Sequence, residues 1–183
     1  MRHSCIITLA IAIALKGFYM KSQDRALLVA VNTTTFEQTK VSIAELAQLA
    51  IANDINPVDE IIQSLPHADP KYYVGSGKVE ELKQIIALRN CDMVICDDTL
   101  SAAQIRNLEA TLEVQIMDRS FLILQIFASR AKTRESILEV SLAQKLYMLP
   151  RLIGMSSSLS RQGGGSFNAK GPGETKLELD RRK

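Results

Sequence analysis

Apolar residues follow two different spacings between Arg25 and Asp118. Short apolar runs, typical of strands buried on both faces of a parallel sheet, predict strands at 26–31, 58–65, 72–74, 93–96 and 114–117. Apolar residues at helical spacing predict helices over 42–53, 78–89 and 101–112. This alternation with short connections predicts an α/β fold, a small parallel sheet flanked by helices.

Two helix starts carry a capping-box pattern, in which a serine is followed three residues later by Glu or Gln. The pairs are Ser42 with Glu45 and Ser101 with Gln104. Gly75-Ser76-Gly77 predicts a turn that leads into the helix between them.

The pattern changes after Asp118, where two helices follow without a strand between them. They are predicted over 121–131 and 135–149, and Pro150 is expected to end or kink the second. That helix carries one stripe of leucines, Leu138, Leu142, Leu146 and Leu149. A glycine-rich stretch spans 160–173, and 174–183 is helical in pattern again. We therefore expect residues 20–118 to form the α/β subdomain and residues 119–183 an antiparallel helical hairpin whose second limb is cut short.

Residues 1–19 contain an unbroken apolar run, Cys5 to Leu15. As a helix it would rise only about 16 Å, too little for a hydrocarbon core of about 30 Å. No good small-x-small cleavage site follows, and Met20 precedes the first strand. We interpret residues 1–19 as an extension outside the domain, and we expect a cytoplasmic protein with no membrane partner.

Charge is unevenly distributed along a chain of ordinary globular composition, 46% hydrophobic and 23% charged. Residues 1–118 carry 10 Lys and Arg against 15 Asp and Glu, a net −5, whereas residues 119–183 carry 12 against 5, a net +7. Such asymmetry is typical of a chain whose basic end meets a polyanion, although a solvated basic face would have the same composition.

The sequence contains no complete catalytic motif. Gly77-Lys78 lacks the rest of a phosphate loop, because Tyr72 stands where its first glycine is needed and Val79 where Ser or Thr is needed. Asp97, Asp98 and Asp118 are compatible with a cation site, but helix capping is the more ordinary role for such acids. We predict no catalytic residue, no metal, no cofactor and no small-molecule substrate on this chain. Cys91 and Cys96 are predicted to be buried, inert thiols.

The segment 161–183 combines six basic residues with two glycine clusters. Glycine lets a backbone approach a ligand closely, and a flexible basic loop suits recognition of folded RNA by shape and phosphate. By composition alone, a solvated interdomain linker is an equally good interpretation.

Longer motifs resemble the HflX family of ribosome-associated GTPases. After Asp118-Arg119 these are ILQIFASRAKTRES, LEVSLAQKLYMLPRLIGM and LSRQGGGSFNAKGPGETKLELDRR. Upstream, YYVGSGKVEELK and ICDDTLSAAQIRNLEATLEVQIMDR resemble the same family. The resemblance covers about residue 26 to the end.

The resemblance implies the amino-terminal module of a GTPase that splits stalled or idle ribosomes, notably under heat stress. Its partner would be the large ribosomal subunit with its rRNA. The implied RNA-contacting residues are Ser160, Arg161, Gln162, Gly163, Gly164, Gly165, Lys170, Gly171, Pro172, Gly173, Glu174 and Thr175. Supporting phosphate contacts are implied for Arg130, Lys132, Arg134 and Arg151.

GTP and Mg²⁺ are expected only with a GTPase domain, which we expect to be missing after Lys183 together with the end of the hairpin. Two alternatives remain at this point. The chain is a fragment of an intact GTP-hydrolysing enzyme whose catalytic domain lies on a continuation, or it is a non-functional remnant.

Overall fold

A four-stranded parallel sheet forms the centre of the protein. The computed structural model describes residues 24–33 and 35–162, with side chains as far as Arg151. The strands are β1 (Arg25–Asn32), β2 (Asn56–Ser64), β3 (Met93–Cys96) and β4 (Gln115–Asp118). Their order in the sheet is β2-β1-β3-β4, and every neighbouring pair is parallel. The predicted α/β fold is confirmed.

Five helices accompany the sheet within the described residues. They are α1 (Phe36–Ile51), α2 (Ser76–Arg89), α3 (Ala102–Leu112), α4 (Arg119–Arg130) and α5 (Arg134–Gln162). Helices α2 and α3 cover one face of the sheet, where Leu82 and Leu108 pack against Leu27 and Val94. Helices α1 and α4 cover the other face.

Helix α4 belongs to the packed core, although the sequence pattern groups it with the helical arm. Phe121, Leu122 and Ile126 are buried in the same cluster as Leu28 and Ile95 of the sheet. Tyr147 and Met148 of α5 pack against this cluster as partly buried residues. The arm that leaves the sheet is therefore α5.

Helix α1 begins at Phe36, six residues before the predicted start at Ser42. In the first turns Thr39 is the one buried residue and the apolar Phe36 and Val41 are exposed, so the buried apolar spacing begins only at Ile43. The predicted Ser42–Glu45 capping box is consequently wrong, because both residues lie inside the helix. The box predicted for α3 is confirmed, since Ser101 and Gln104 exchange side-chain to backbone hydrogen bonds.

Residues 72–74 do not form the predicted strand. Tyr73 has a φ of 68° and makes only an isolated bridge with Asp69. The Asp69 side chain accepts hydrogen bonds from the backbone N–H groups of Lys71 and Tyr72, which holds a tight turn. The turn directs the Tyr73 side chain into the core, where it is 1% exposed.

Helix α5 continues past Pro150 to Gln162, so proline does not end the helix, and the other predicted effect, a kink, stays a prediction. The leucine stripe is exposed: Leu138, Leu142 and Leu146 have about 60% of their surface in solvent. The predicted returning limb, 174–183, lies outside the described residues. Among the described helices, none is long and apolar enough to cross a membrane.

Tyr73→Phe tests how much this buried hydroxyl contributes. The hydroxyl accepts a hydrogen bond from Val31 N–H and donates one to Asp98. Its loss leaves a buried backbone donor unpaired, so we expect the free energy of unfolding to fall by about 1–3 kcal/mol. Urea unfolding with an unchanged m-value measures this change. Tyr72→Phe, which removes the hydroxyl of a half-buried tyrosine that pairs with no buried backbone N–H in the described chain, is the control, and equal losses in both variants would contradict the prediction.

Candidate nucleic-acid interface

The predicted RNA-contacting loop lies at the far end of α5. Ser160, Arg161 and Gln162 form the last turn of the helix, and only their backbone is described. The remaining predicted contacts, Gly163 to Thr175, lie outside the described residues. The structure therefore fixes the helix that leads into the loop.

Three supporting candidates, Arg130, Lys132 and Arg134, lie together at the turn between α4 and α5. The Thr133 hydroxyl accepts a hydrogen bond from Ser136 N–H and caps the start of α5. All three basic side chains are exposed. Among the described residues they have no ion-pair or hydrogen-bond partner, so they form a free cationic group.

The two basic groups lie at opposite ends of one helix. From Arg134 to Ser160 the helix rises roughly 39 Å, at about 1.5 Å per residue. Within the described residues, the turn between α4 and α5 and the last turn of α5, Ser160 to Gln162, are therefore separate. A single partner that contacts both groups must present an extended surface.

Arg151, the fourth supporting candidate, is engaged inside the protein. Its Nη2 lies 3.2 Å from both the Asp118 carboxylate and the Leu100 carbonyl oxygen. Its Nη1 donates to the Tyr147 carbonyl oxygen, and Nε has no partner among the described residues. With the side chain only 15% exposed, Arg151 is not presented to a phosphate group in this structure.

Asp118 is the fully buried partner of Arg151 and joins four parts of the chain. It ends β4, and its Oδ1 accepts a hydrogen bond of 2.8 Å from Phe121 N–H, which caps α4. Oδ2 accepts one of 3.0 Å from Leu100 N–H, in the loop before α3. The ion pair with Arg151 adds α5. The capping role predicted for this aspartate is confirmed.

Aromatic packing supports the same junction. The rings of Phe121 and Tyr147 stack with centroids 5.0 Å apart, and the guanidinium carbon of Arg151 lies 3.3 Å from the Tyr147 ring centroid. Burial raises the pKa of Tyr147, and a hydrogen bond to Asp118 raises it further. Tyr147 is therefore a neutral phenol at physiological pH, and the positive charge of Arg151 compensates Asp118.

The carboxyl edge of the sheet, where open α/β folds bind ligands, is engaged internally. The strand order changes direction between β1 and β3. At this point the Tyr73 hydroxyl accepts a hydrogen bond from Val31 N–H, near the end of β1, and donates one to Asp98, just after β3. Burial, more than the nearby Cys96 and Asp98, raises the pKa of Tyr73. The crevice is thus closed by a side chain of the protein itself.

Asp97 and Arg119 form a second polar group on this edge. The Arg119 guanidinium donates to Asp97, Ser42 and Glu45, each within 2.9 Å. Partial burial lowers the pKa of Arg119, but the hydrogen bonds to Glu45 and Asp97 outweigh this effect and raise it. Asp97 and Asp98 therefore pair with protein groups, and neither caps α3, whose cap is Ser101.

No metal site is formed by the part of the chain that the structure describes, because no three His, Cys, Asp or Glu side chains converge there. Cys91 and Cys96 are free and buried, as predicted. Burial raises the pKa of both thiols, so neither is a ready nucleophile.

Two family matches cover most of the chain. Residues 40–128 match the GTP-binding GTPase N-terminal family, and residues 130–183 match the GTP-binding GTPase Middle Region. The division falls at the end of α4, close to where the packed core gives way to the arm. The chain therefore contains the N-terminal and middle regions of the GTP-binding GTPase family.

Curated relatives identify the family further. The GTPase HflX of Lacrimispora saccharolytica is 48% identical over 160 residues, which are 87% of this chain and 38% of that protein. The GTPase HflX of Escherichia coli is 38% identical over 159 residues, which are 87% of this chain and 37% of that protein. The chain belongs to the HflX family and spans somewhat more than a third of these relatives' length.

Solved structures share the fold. A GTP-binding protein from the hyperthermophilic archaeon Sulfolobus solfataricus in complex with GDP aligns with a TM-score of 0.53 and 22% identity. The alignment covers 73% of this chain and 40% of that one. A complex of SsGBP with GDP aligns with a TM-score of 0.55, also at 22% identity, covering 74% and 38%. At this identity the likeness shows the fold alone.

The Asp118–Arg151 pair was not predictable from the sequence. The two residues are 33 positions apart, and no local motif joins them. A basic residue next to a proline in a basic segment resembles a surface charge. Only the packing of Tyr147 on Phe121 brings Arg151 to the buried carboxylate.

Asp118→Ala should destabilise the protein more than removal of any other acid on the sheet edge. The substitution unpairs two backbone donors and leaves the partly buried Arg151 cation without its partner. We expect a loss of about 3–5 kcal/mol, the usual effect of breaking a buried pair. Thermal and urea unfolding measure it. Asp97→Ala is the matched control, because Arg119 keeps Glu45 and Ser42, and a loss no larger than that of the control would refute the role of Asp118.

Proposed function

We propose that this chain binds the large ribosomal subunit through rRNA, with the segment 160–175 at the end of α5 as the main contact. One observation carries the proposal: a 29-residue helix, anchored on the sheet domain, leads directly into the basic, glycine-rich segment. A rigid helix delivers a loop to a site at a fixed distance from the body. Such an arrangement suits a narrow RNA-lined cleft.

The distribution of charge also favours RNA contact through the arm α5. Residues 20–133 carry 11 Lys and Arg against 15 Asp and Glu, a net −4, whereas residues 134–183, from the start of α5, carry 9 against 5, a net +4. RNA phosphates attract the basic arm and repel the acidic body, so the arm approaches first. The glycines at 163–165, 171 and 173 let the backbone approach the RNA more closely than side chains at those positions would permit.

Arg130, Lys132 and Arg134 supply a second contact. They are exposed and free of partners in the described chain, as phosphate-binding groups need to be. Along α5, Arg134 and Ser160 are roughly 39 Å apart, so a partner that contacts both ends of this helix needs an extended surface. Ribosomal RNA offers such a surface, whereas a short oligonucleotide does not.

The whole protein is expected to act as a cytoplasmic GTPase that splits ribosomes under stress, with these residues as its docking part. GTP and Mg²⁺ belong to the portion of the relatives' length that this chain does not span. The 183 residues contain no phosphate loop. The polar groups described at the sheet edge pair with one another, which leaves binding as the function of this region.

Arg161→Glu combined with Lys170→Glu should abolish sedimentation of the chain with purified large subunits at moderate salt. Each substitution replaces an attraction to phosphate with a repulsion. The measurement is the amount of protein that pellets through a sucrose cushion with the subunits.

The matched control is Lys40→Glu combined with Lys83→Glu, which changes net charge equally on exposed positions of α1 and α2. This control should still pellet. If both double variants pellet like the unsubstituted chain, the loop is not the contact. If both fail, binding depends on net charge alone.

A further inference from the structure

We propose that Arg151 is a positioning residue: through Asp118 it sets the direction of α5 and thus where the following segment stands. The last step, delivery of that segment to RNA, rests on the proposed function. This role differs from the phosphate contact that the family resemblance implies for Arg151.

The geometry of the guanidinium carries the inference. Its Nη2 donates to two separate parts of the body, the Asp118 carboxylate at the end of β4 and the Leu100 carbonyl oxygen before α3. Its Nη1 donates to the Tyr147 carbonyl oxygen within the helix itself. One planar group with donors in fixed directions therefore ties the helix to the body at two points.

The position of Arg151 along α5 gives this tie its effect. Toward the start of the helix, Tyr147 and Met148 pack on the core, and the Thr133 cap fixes the first turn. Arg151 adds a polar tie about one turn further along the helix. The helix continues for eleven residues beyond it, about 16 Å, so a 10° rotation at Arg151 would move the helix end by about 3 Å.

A phosphate contact would require a different arrangement. To reach RNA, the guanidinium would have to leave Asp118, which is fully buried and would lose its compensating charge. It would also leave the Tyr147 ring, 3.3 Å away. Arg134 is the opposite case, an exposed arginine on the same helix without a partner in the described chain.

Distance measurements test the positioning role directly. Nitroxide labels are attached at Glu80→Cys, an exposed position on α2, and at Ser158→Cys, in the last part of α5. Cys5→Ser prevents labelling of the native thiol. Double electron–electron resonance should give one narrow distance distribution for the otherwise unsubstituted chain. Arg151→Met should broaden or shift it, whereas Arg134→Met should leave it unchanged.

Binding to large subunits at several salt concentrations separates positioning from phosphate contact. Loss of a phosphate contact lowers the slope of log affinity against log salt by about one. We expect Arg151→Met to weaken binding roughly five- to tenfold with an unchanged slope, the effect of a lost coupling. Arg134→Met should lower the slope. A lower slope for Arg151→Met would overturn the proposal.

A distance distribution for Arg151→Met identical to that of the unsubstituted chain also overturns it. If Arg151→Met does not fold, Arg151→Lys is measured in its place. A lysine ammonium keeps the charge but cannot donate in the fixed, planar directions of a guanidinium. Arg151→Lys should keep the mean distance with a wider spread, and an unchanged width counts against the proposal. If the unsubstituted chain does not bind subunits, the proposed function fails, while the distance comparison still decides the role of Arg151.

Discussion

A buried carboxylate needs both hydrogen-bond donors and a compensating charge, and Asp118 imposes this requirement on the whole structure. The backbone N–H groups of Leu100 and Phe121 supply donors from two neighbouring segments. The charge comes from Arg151, on a helix that is otherwise only partly packed on the core. An uncompensated charge in the interior costs far more than an ordinary hydrogen bond contributes, so sheet and arm are coupled at this point.

The same principle accounts for the pairing of polar groups at the carboxyl edge of the sheet. In open α/β folds the crevice between diverging strands normally receives a ligand. Here Tyr73 fills it, and its hydroxyl satisfies both Val31 N–H and Asp98. Asp97 is likewise paired with Arg119. The polar groups at the edge stabilise the domain, whereas Arg134, on the arm α5, and Arg130 and Lys132, just before it, have no partner in the described chain.

Free charge and exposed apolar surface are both concentrated on that arm. Arg130, Lys132 and Arg134 are exposed at its start, and the leucine stripe runs along its middle. An arm with such a surface is suited to intermolecular or interdomain contact. Under the proposed function, the polyanion that meets the cationic part is ribosomal RNA.

The sequence by itself determined the alternation of strands and helices, because apolar spacing is a local property that the chain shows directly. It also determined the Ser101–Gln104 cap, whose partners are three residues apart. It did not show the side-chain partners of Tyr73, Ser42 and Arg151, which lie 25 to 77 positions away. Tertiary structure decided these roles, because a side chain acquires a distant partner only when packing brings the two together.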